Sequence, residues 1–365
     1  MSGIVDERAN DTIATMLTAQ SSNRRGALEA WVDDVLDVRG VHVVGPWQAV
    51  VGDASFRTFH RVHTDAGSLI AMDAPPATEN NAQFVRLSKL FRAHGVGVPE
   101  VLASDLAQGF LLVSDLGEQM YSAVYQTDDH DAAIEAALDT LVKIAPIGSG
   151  NGIVPAYTTQ RFHDEFELFR VWLIDGLLAY SLTDSEGGMI DDVRRKLIES
   201  IDSQPRVCVH RDFHSRNLLW GPDRTTRVVD FQDALHGPAL YDLASLLRDC
   251  YVRFDEAEIS RWRDQFRVRA TDARLAVDPD PDRFARMLDL TAMQRQLKAL
   301  GIFARLELRD ARPSHLVDIE PVIDHLVDVG HMYPDLNTFA DWLAQVIRPA
   351  ARDALATRGV APCAE

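Results

Sequence analysis

The sequence predicts an α+β protein with two lobes: a small antiparallel β-sheet followed by a larger, mainly helical part. Three observations lead there. β-rich residues gather in 47–73 and return at 110–113, helical spacing takes over after Gly117, and 365 residues suffice for two domains or one two-lobed body. Apolar content of 46% and charged content of 25% are ordinary for a globular chain. The net charge of −18 disfavours nucleic acid and anionic membranes as partners. The three cysteines (Cys208, Cys250, Cys363) have no paired or metal-ligand spacing, which fits a reducing compartment. The first residues lack a basic, apolar signal pattern, and no apolar run approaches membrane-spanning length. A soluble cytoplasmic protein is expected.

Residues 1–24 read as a polar leader, either a frayed helix or a disordered segment. From Arg25 to Val38, Leu28, Trp31, Val32, Val35 and Leu36 repeat at helical spacing, and Gly40 suits the end of that helix. Trp47–Val51 and Phe56–Val62 read as strands joined through Gly52, Asp53, Ala54 and Ser55, with a third strand at Ser68–Met72. A turn of small residues between two strands can lay its backbone N–H groups over phosphates. A helix follows from about Glu79 to Ala93, ended by Gly95–Pro99, and Phe110–Val113 leads as a strand into Ser114, Asp115, Leu116 and Gly117. The first lobe is therefore drawn as 25–117 and the second as 118–365.

Beyond Gly117, helices are expected at Ala132–Ala145, Gln160–Leu178 and Asp191–Ile201. The apolar set Phe162, Phe166, Phe169, Val171, Trp172 and Leu173 reads as core. Gly237-Pro238 permits a turn before a helix whose buried side is Leu243, Leu246, Leu247 and Cys250. Residues 281–358 are again helical.

The chemistry concentrates in residues 207–232. Leu218-Leu219-Trp220 and Arg227-Val228-Val229 flank Gly221-Pro222-Asp223, the pattern of a hairpin. Such a hairpin folds Asp230 back beside Asn217, with Asp212 at the entrance of the same loop. Phosphoryl transfer needs a carboxylate to orient and deprotonate a hydroxyl, plus oxygen ligands holding Mg²⁺ against nucleotide phosphates. Asn217 and Asp230 offer those oxygens, Asp212 remains as the base, and Arg216 can neutralise charge on the transferring group. His210 and His214, four apart with acids nearby, also admit a zinc site, but no third ligand follows at metalloenzyme spacing.

His210-Arg211-Asp212 with Asn217, then Asp230-Phe231, resembles the catalytic and metal-binding loops of the protein-kinase-like fold. Asp230-Phe231-Gln232, Gly237-Pro238 and Tyr241-Asp242-Leu243-Ala244 resemble its aminoglycoside-phosphotransferase branch. This resemblance implies ATP and Mg²⁺ as cofactors, the 52–55 turn as the nucleotide-covering loop, and an adenine-holding hinge at Ser114, Asp115 and Leu116. It also implies structural roles for His210, as a loop anchor, and for Asp242, bracing the loop from beneath.

The sequence departs from the common pattern in the third strand, where Ser68–Asp73 has no lysine for the phosphates. Arg57 and Arg61 are the replacement cations considered, and Glu79 and Gln83 the nearest partners on the following helix. Asp73-Ala74-Pro75-Pro76, Arg248-Asp249-Cys250-Tyr251 and the run Met293 to Leu306 are similar to the subgroup that phosphorylates N-acetylmuramate and N-acetylglucosamine at the anomeric hydroxyl, which also lacks the lysine. That resemblance implies a sugar 1-kinase of cell-wall recycling, with His214, Gln232, Asp233, Arg248, Asp249 and Tyr251 near the acceptor. Two alternatives stand beside it: a phosphotransferase for aminoglycosides or another small hydroxyl compound, and a pseudokinase that binds nucleotide without turnover. The expected partner is a small amino sugar, with no nucleic acid and no membrane; a monomer is expected, although no residue fixes the oligomeric state.

Overall fold

The structure, a computed structural model, describes residues 23–50, 56–148 and 152–360. The chain divides into two compact units, Met1–Gly117 and Glu118–Glu365. Among the described residues no helix is long and apolar enough to cross a membrane.

In the first unit, helix α1 covers residues 23–37. A five-stranded antiparallel sheet has the order β1-β2-β3-β5-β4, from β1 (Gln48–Val50), β2 (Thr58–Thr64), β3 (Gly67–Asp73), β4 (Val101–Asp105) and β5 (Phe110–Ser114). Helix α2 (Asn81–Ala93) lies between β3 and β4 and is capped by Asn80, whose side chain accepts from the Gln83 N–H. Leu28, Val32 and Leu36 on α1 pack onto Val62, Ala71, Phe110 and Leu112 of the sheet. Each such buried side chain contributes about 1.5–3 kcal/mol, which is why the i, i+4, i+8 spacing holds α1 to this face.

Two readings of this unit need correction. Arg24, placed in the leader, belongs to α1: its guanidinium pairs with Asp73 and sits 5.2 Å from the Phe110 ring. Strand β4 was not anticipated, because Ala103, Ser104 and Asp105 carry little β signal, and its pairing with β5 is what creates it. The β4–β5 turn requires Gly109. Its φ is +78°, and a Cβ there would fall 2.1 Å from the Ala74 carbonyl oxygen.

The second unit opens with α3 (Tyr121–Val124), α4 (His130–Ile144) and α5 (Thr159–Leu168), the last continuing in wide π-helical turns through Phe169–Leu177. Helix α6 (Asp184–Asp202) starts earlier than its spacing suggested. Thr183 and Glu186 form a reciprocal capping box that outweighs Gly187-Gly188. Two short antiparallel pairs follow: β6 (Arg206–Val209) with β9 (Leu235–Pro238), and β7 (Leu218–Trp220) with β8 (Thr226–Val228). Helices α7 (Tyr241–Leu247), α8 (Glu256–Asp272), α9 (Pro281–Asp310), α10 (Ile319–His331), α11 (Asn337–Trp342) and α12 (Arg348–Ala356) complete it.

Helix α9 runs through the centre of this unit for 30 residues. Asp280 caps its start, Pro281 occupies the first helical position, and Ala311 ends it in the left-handed conformation. It packs closely on the α5 segment at Gly301, where a Cβ would lie 2.3 Å from the Leu168 carbonyl carbon.

Candidate active site

The β6–β9 ladder and the β7–β8 hairpin hold the two ends of the catalytic loop. Leu218 pairs with Val228, and the Val229 N–H donates to the Asn217 carbonyl at 3.1 Å, so Asp230 lies one residue from the backbone of Asn217. This is the proximity expected from the hairpin. The β6–β9 pairing (Cys208 opposite His236) was not expected; it ties the strand before His210 to the chain beyond Asp233.

Between these anchors the backbone is strained in a useful place. Arg211 (φ +83°) and Asp230 (φ +62°) both adopt left-handed conformations that non-glycine residues seldom take. Asp is among the residues that tolerate it; for Arg211 the surroundings must enforce it. Asp242 on α7 does so, accepting from the His210 N–H at 2.5 Å and the Arg211 N–H at 2.9 Å. The Arg211 carbonyl accepts from Arg295 at 3.3 Å. Burial pushes the Asp242 carboxyl above its ordinary pKa, only partly opposed by His210 and the two N–H donors. His210 Nδ1 lies 3.3 Å from the Asp212 N–H, which leaves the proton on Nε2 for the Val229 carbonyl at 2.9 Å.

Asp212 itself is half-buried. Burial raises its pKa, but Lys298, His214, Arg211 and Arg295 lower it further, and the net is a carboxylate well below the usual range. The Asn217 Nδ2 donates to the Asp212 carbonyl at 2.9 Å, fixing the amide so that Oδ1 remains as a ligand atom. Gln232 Nε2 donates to Asp230 Oδ1 at 2.5 Å, and Asp230 is exposed. No group of three His, Cys, Asp or Glu side chains able to hold a metal gathers among the described residues. A divalent ion would depend on Asn217 Oδ1, the Asp230 carboxylate and oxygens brought by a nucleotide. An oxygen-only set with few protein ligands fits Mg²⁺, which keeps waters and phosphate oxygens in its shell.

Several predicted site residues have other work. Arg248 is 2% exposed and its guanidinium is enclosed by Asp289 (2.9 Å) and Glu256, so it braces α7 against α9 instead of facing an acceptor. Asp249, also buried, accepts from the Ser215 N–H at 2.8 Å and the Tyr251 N–H at 2.9 Å, which shapes the loop. Arg216 lies flat on Tyr251, 3.6 Å from the ring centroid, with Asp318 at 3.5 Å. His214 meets Tyr251 edge-on at 5.1 Å, and Asp233 is exposed. Sequence reasoning missed Glu165, His315 and Asp318. For Glu165 a signal existed, since an acid beside Phe162 and Phe166 stands on the apolar face of its helix.

In the first unit, Gly52, Asp53, Ala54 and Ser55 lie outside the described residues. Arg57 pairs with Glu79 at 2.6 Å, both largely buried, so the cation candidate and the acidic partner considered for it meet. Arg61 is directed to Asp115 (2.6 Å), whose carboxylate also accepts from the Gly117 N–H at 2.9 Å. Burial raises the Asp115 pKa, but Arg61, Gly117 and Ser68 pull it below the ordinary value. The Ser114 N–H donates to the Glu100 carbonyl at 2.9 Å, so that one of its backbone groups is already engaged. Leu116 follows Asp115 in the same segment.

A two-part fold with a His-Arg-Asp loop, an asparagine and a hairpin-borne aspartate defines a kinase-like phosphotransferase. The profile of the phosphotransferase enzyme family (APH) matches residues 46–285, and the chain belongs to that family. Its curated relatives are narrower in kind. The chain is 34% identical over 325 residues to an N-acetylmuramate/N-acetylglucosamine kinase of Pseudomonas putida, covering 87% of this chain and 95% of the relative. It is 35% identical to the protein of that name in Pseudomonas aeruginosa (87% and 96% covered) and 32% identical to the one in Neisseria meningitidis serogroup B (89% and 96%). Among solved structures, choline kinase LicA from Streptococcus pneumoniae aligns with a TM-score of 0.59 at 12% identity, covering 83% of this chain and 99% of that one. Aminoglycoside phosphotransferase APH(2'')-Ib aligns at 0.51 and 13% identity, covering 78% and 94%. These two share the fold.

Proposed function

We propose that this chain is an ATP- and Mg²⁺-dependent kinase that phosphorylates N-acetylmuramate and N-acetylglucosamine at the anomeric hydroxyl, giving the α-1-phosphates in cell-wall recycling in the cytoplasm. The observation that carries the reading is end-to-end similarity to kinases of that name, 34–35% identity over 95–96% of their length. The intact set Asp212, Asn217 and Asp230 supports turnover over mere binding.

Asp212 orients the sugar hydroxyl and accepts its proton. Its low pKa makes it a weak base, which suits a loose transition state in which the proton leaves late. Asn217 Oδ1 and the Asp230 carboxylate would hold the divalent ion, whose charge would offset that of the nucleotide phosphates. His210 and Asp242 keep the strained backbone at Arg211 in place, and with it the aim of Asp212. Arg57, steadied by Glu79, takes the part of the missing strand lysine; Arg61, engaged by Asp115, secures the segment leading out of β5. Tyr251 and His214, which meet edge-on, form the acceptor-side wall.

The test is ADP release by the purified chain with ATP, Mg²⁺ and each amino sugar, with an aminoglycoside and choline as controls. Turnover of the amino sugars, yielding a product that loses phosphate under mild acid as glycosyl phosphates do, is the expected result. Preference for an aminoglycoside, or no turnover of any acceptor, would refute it.

A further inference from the structure

We propose that Arg216 is the specificity residue for the anionic acceptor: its guanidinium, laid on Tyr251 and steadied by the His315–Asp318 pair, binds the lactyl carboxylate that N-acetylmuramate carries and N-acetylglucosamine lacks. The inference rests on the sugar-kinase reading above. The two sugars share the ring, the N-acetyl group and the anomeric hydroxyl, so the lactyl ether and its charge are what tell them apart. A chain of net charge −18 repels an anion at long range, and a site that takes both sugars needs a local cation for one of them. Arg211, Lys298 and Arg295 are buried and engaged. Arg211 and Lys298 each lie 3.4 Å from the same Glu165 oxygen, while Arg295 stacks on Tyr241 at 5.1 Å and donates to the Arg211 carbonyl. Arg216, in the same loop, keeps 37% of its side chain exposed.

Arg216 stands four residues after Asp212 and directly before Asn217, whose Nδ2 reaches back to the Asp212 carbonyl at 2.9 Å and closes the loop. More distant elements supply its aim. Ala311 ends α9 in the left-handed conformation, and Pro313 opens the 3₁₀ turn Pro313–Asp318. Residues three apart eclipse in such a turn, so His315 and Asp318 stand together at 3.1 Å, and one Asp318 oxygen faces both His315 and Arg216. His315 is fixed in turn by stacking on Phe303 of α9, with ring centroids 5.0 Å apart and planes 5° from parallel. On its other side the guanidinium lies 3.6 Å from the Tyr251 centroid, and Tyr251 meets His214, two residues past the base, edge-on. This is orientation without saturation. The Asp318 contact of 3.5 Å is longer than a charge-assisted hydrogen bond of about 2.7–2.9 Å. His315 Nδ1 cannot donate to Asp318 and accept from Arg216 Nη1, 3.4 Å away, at the same time. The planar fork therefore retains N–H groups for a second carboxylate in two-point geometry, which a lysine could not offer.

The test is steady-state kinetics of the full-length enzyme with ATP and, in turn, N-acetylmuramate, its methyl ester and N-acetylglucosamine. In the unaltered enzyme, esterification removes the charge and should raise KM by about 10–100-fold, the worth of one charge-assisted contact, with kcat within about 3-fold. Arg216→Gln should lower the kcat/KM ratio of N-acetylmuramate to N-acetylglucosamine by a similar factor. The same variant should respond to esterification by less than about 3-fold, because either change removes the same contact. Equal KM for acid and ester in the unaltered enzyme overturns the proposal, whether or not the variant folds. So does an unchanged ratio in Arg216→Gln, or a fall in kcat common to both sugars, which would assign Arg216 to the transferring phosphoryl group. No turnover of either sugar by the unaltered enzyme refutes the sugar-kinase reading and this inference with it. Turnover of both sugars without an ester effect refutes this inference alone.

Discussion

Asp212 is separated from Asn217 by five positions and Asn217 from Asp230 by thirteen, and the hairpin between them does the folding locally. Replacing Asp212 with Asn keeps the shape and removes the proton acceptor, so kcat should fall by roughly 10²–10⁴ with little change in melting temperature. Near-full turnover would exclude Asp212 as the base. Arg248 sorts the opposite way. Arg248→Met leaves Asp289 and Glu256 without their cation, and breaking a buried pair of this kind costs about 3–5 kcal/mol. The expected result is a large loss in denaturant midpoint with sugar KM unchanged in the folded fraction; a KM rise in a fully stable variant would return Arg248 to the acceptor. The loop was legible in the sequence because its residues are close in the chain and their chemistry is specific. Arg248 and Asp249 were not, because a polar run at a helix end looks the same whether tertiary packing buries it or leaves it in water.

Elements were legible where their own residues decide them. The α1 stripe, the Gly221-Pro222-Asp223 turn and the β2–β3 pair declare themselves through period and turn chemistry. Strands β4, β6 and β9 do not, since each is short and gains its identity from a partner distant in sequence. The pattern over residues 281–358 announced helices without showing that α9 is continuous and central. Gly301 marks that centrality, and Gly301→Ala tests it. Its Cβ would meet backbone of Leu168 and Phe169, not a movable side chain, so α9 or α5 must shift. A loss of about 1–3 kcal/mol in unfolding free energy is expected, although alanine has the better helix propensity. A gain in stability would show that the approach of the two helices is looser than the structure has it.

At the scale of the molecule, acid sensitivity should arise from histidine before the carboxylates take part. His325 on α10 is 6% exposed, with ring nitrogens 2.8 Å from the Gln296 amide and 3.4 Å from the Arg248 guanidinium. A protonated ring would have donors on both sides and no acceptor. Burial, then Arg248 and Arg253, lower its pKa to about 3. A group depressed in the folded state binds more protons unfolded. Its contribution is therefore fully present above the unfolded pKa of about 6.5 and is lost as pH falls toward about 3, at up to about 1.4 kcal/mol per pH unit. Asp212 and Glu165 are also depressed, but their contributions are present above the ordinary carboxylate pKa, about 4, and fade only below it. Asp242, raised by burial, works in the opposite sense, so the window between pH 6.5 and 5 reports the histidines through the difference between variant and parent protein. His60 and His214 shift in the same direction, so the slope should shrink in a His325 variant without vanishing. His325→Gln keeps a polar side chain at the site and cannot take up the proton. Melting temperature should fall less between pH 7 and 5 in this variant than in the parent protein, and parallel curves would mean that His325 is not the group that titrates.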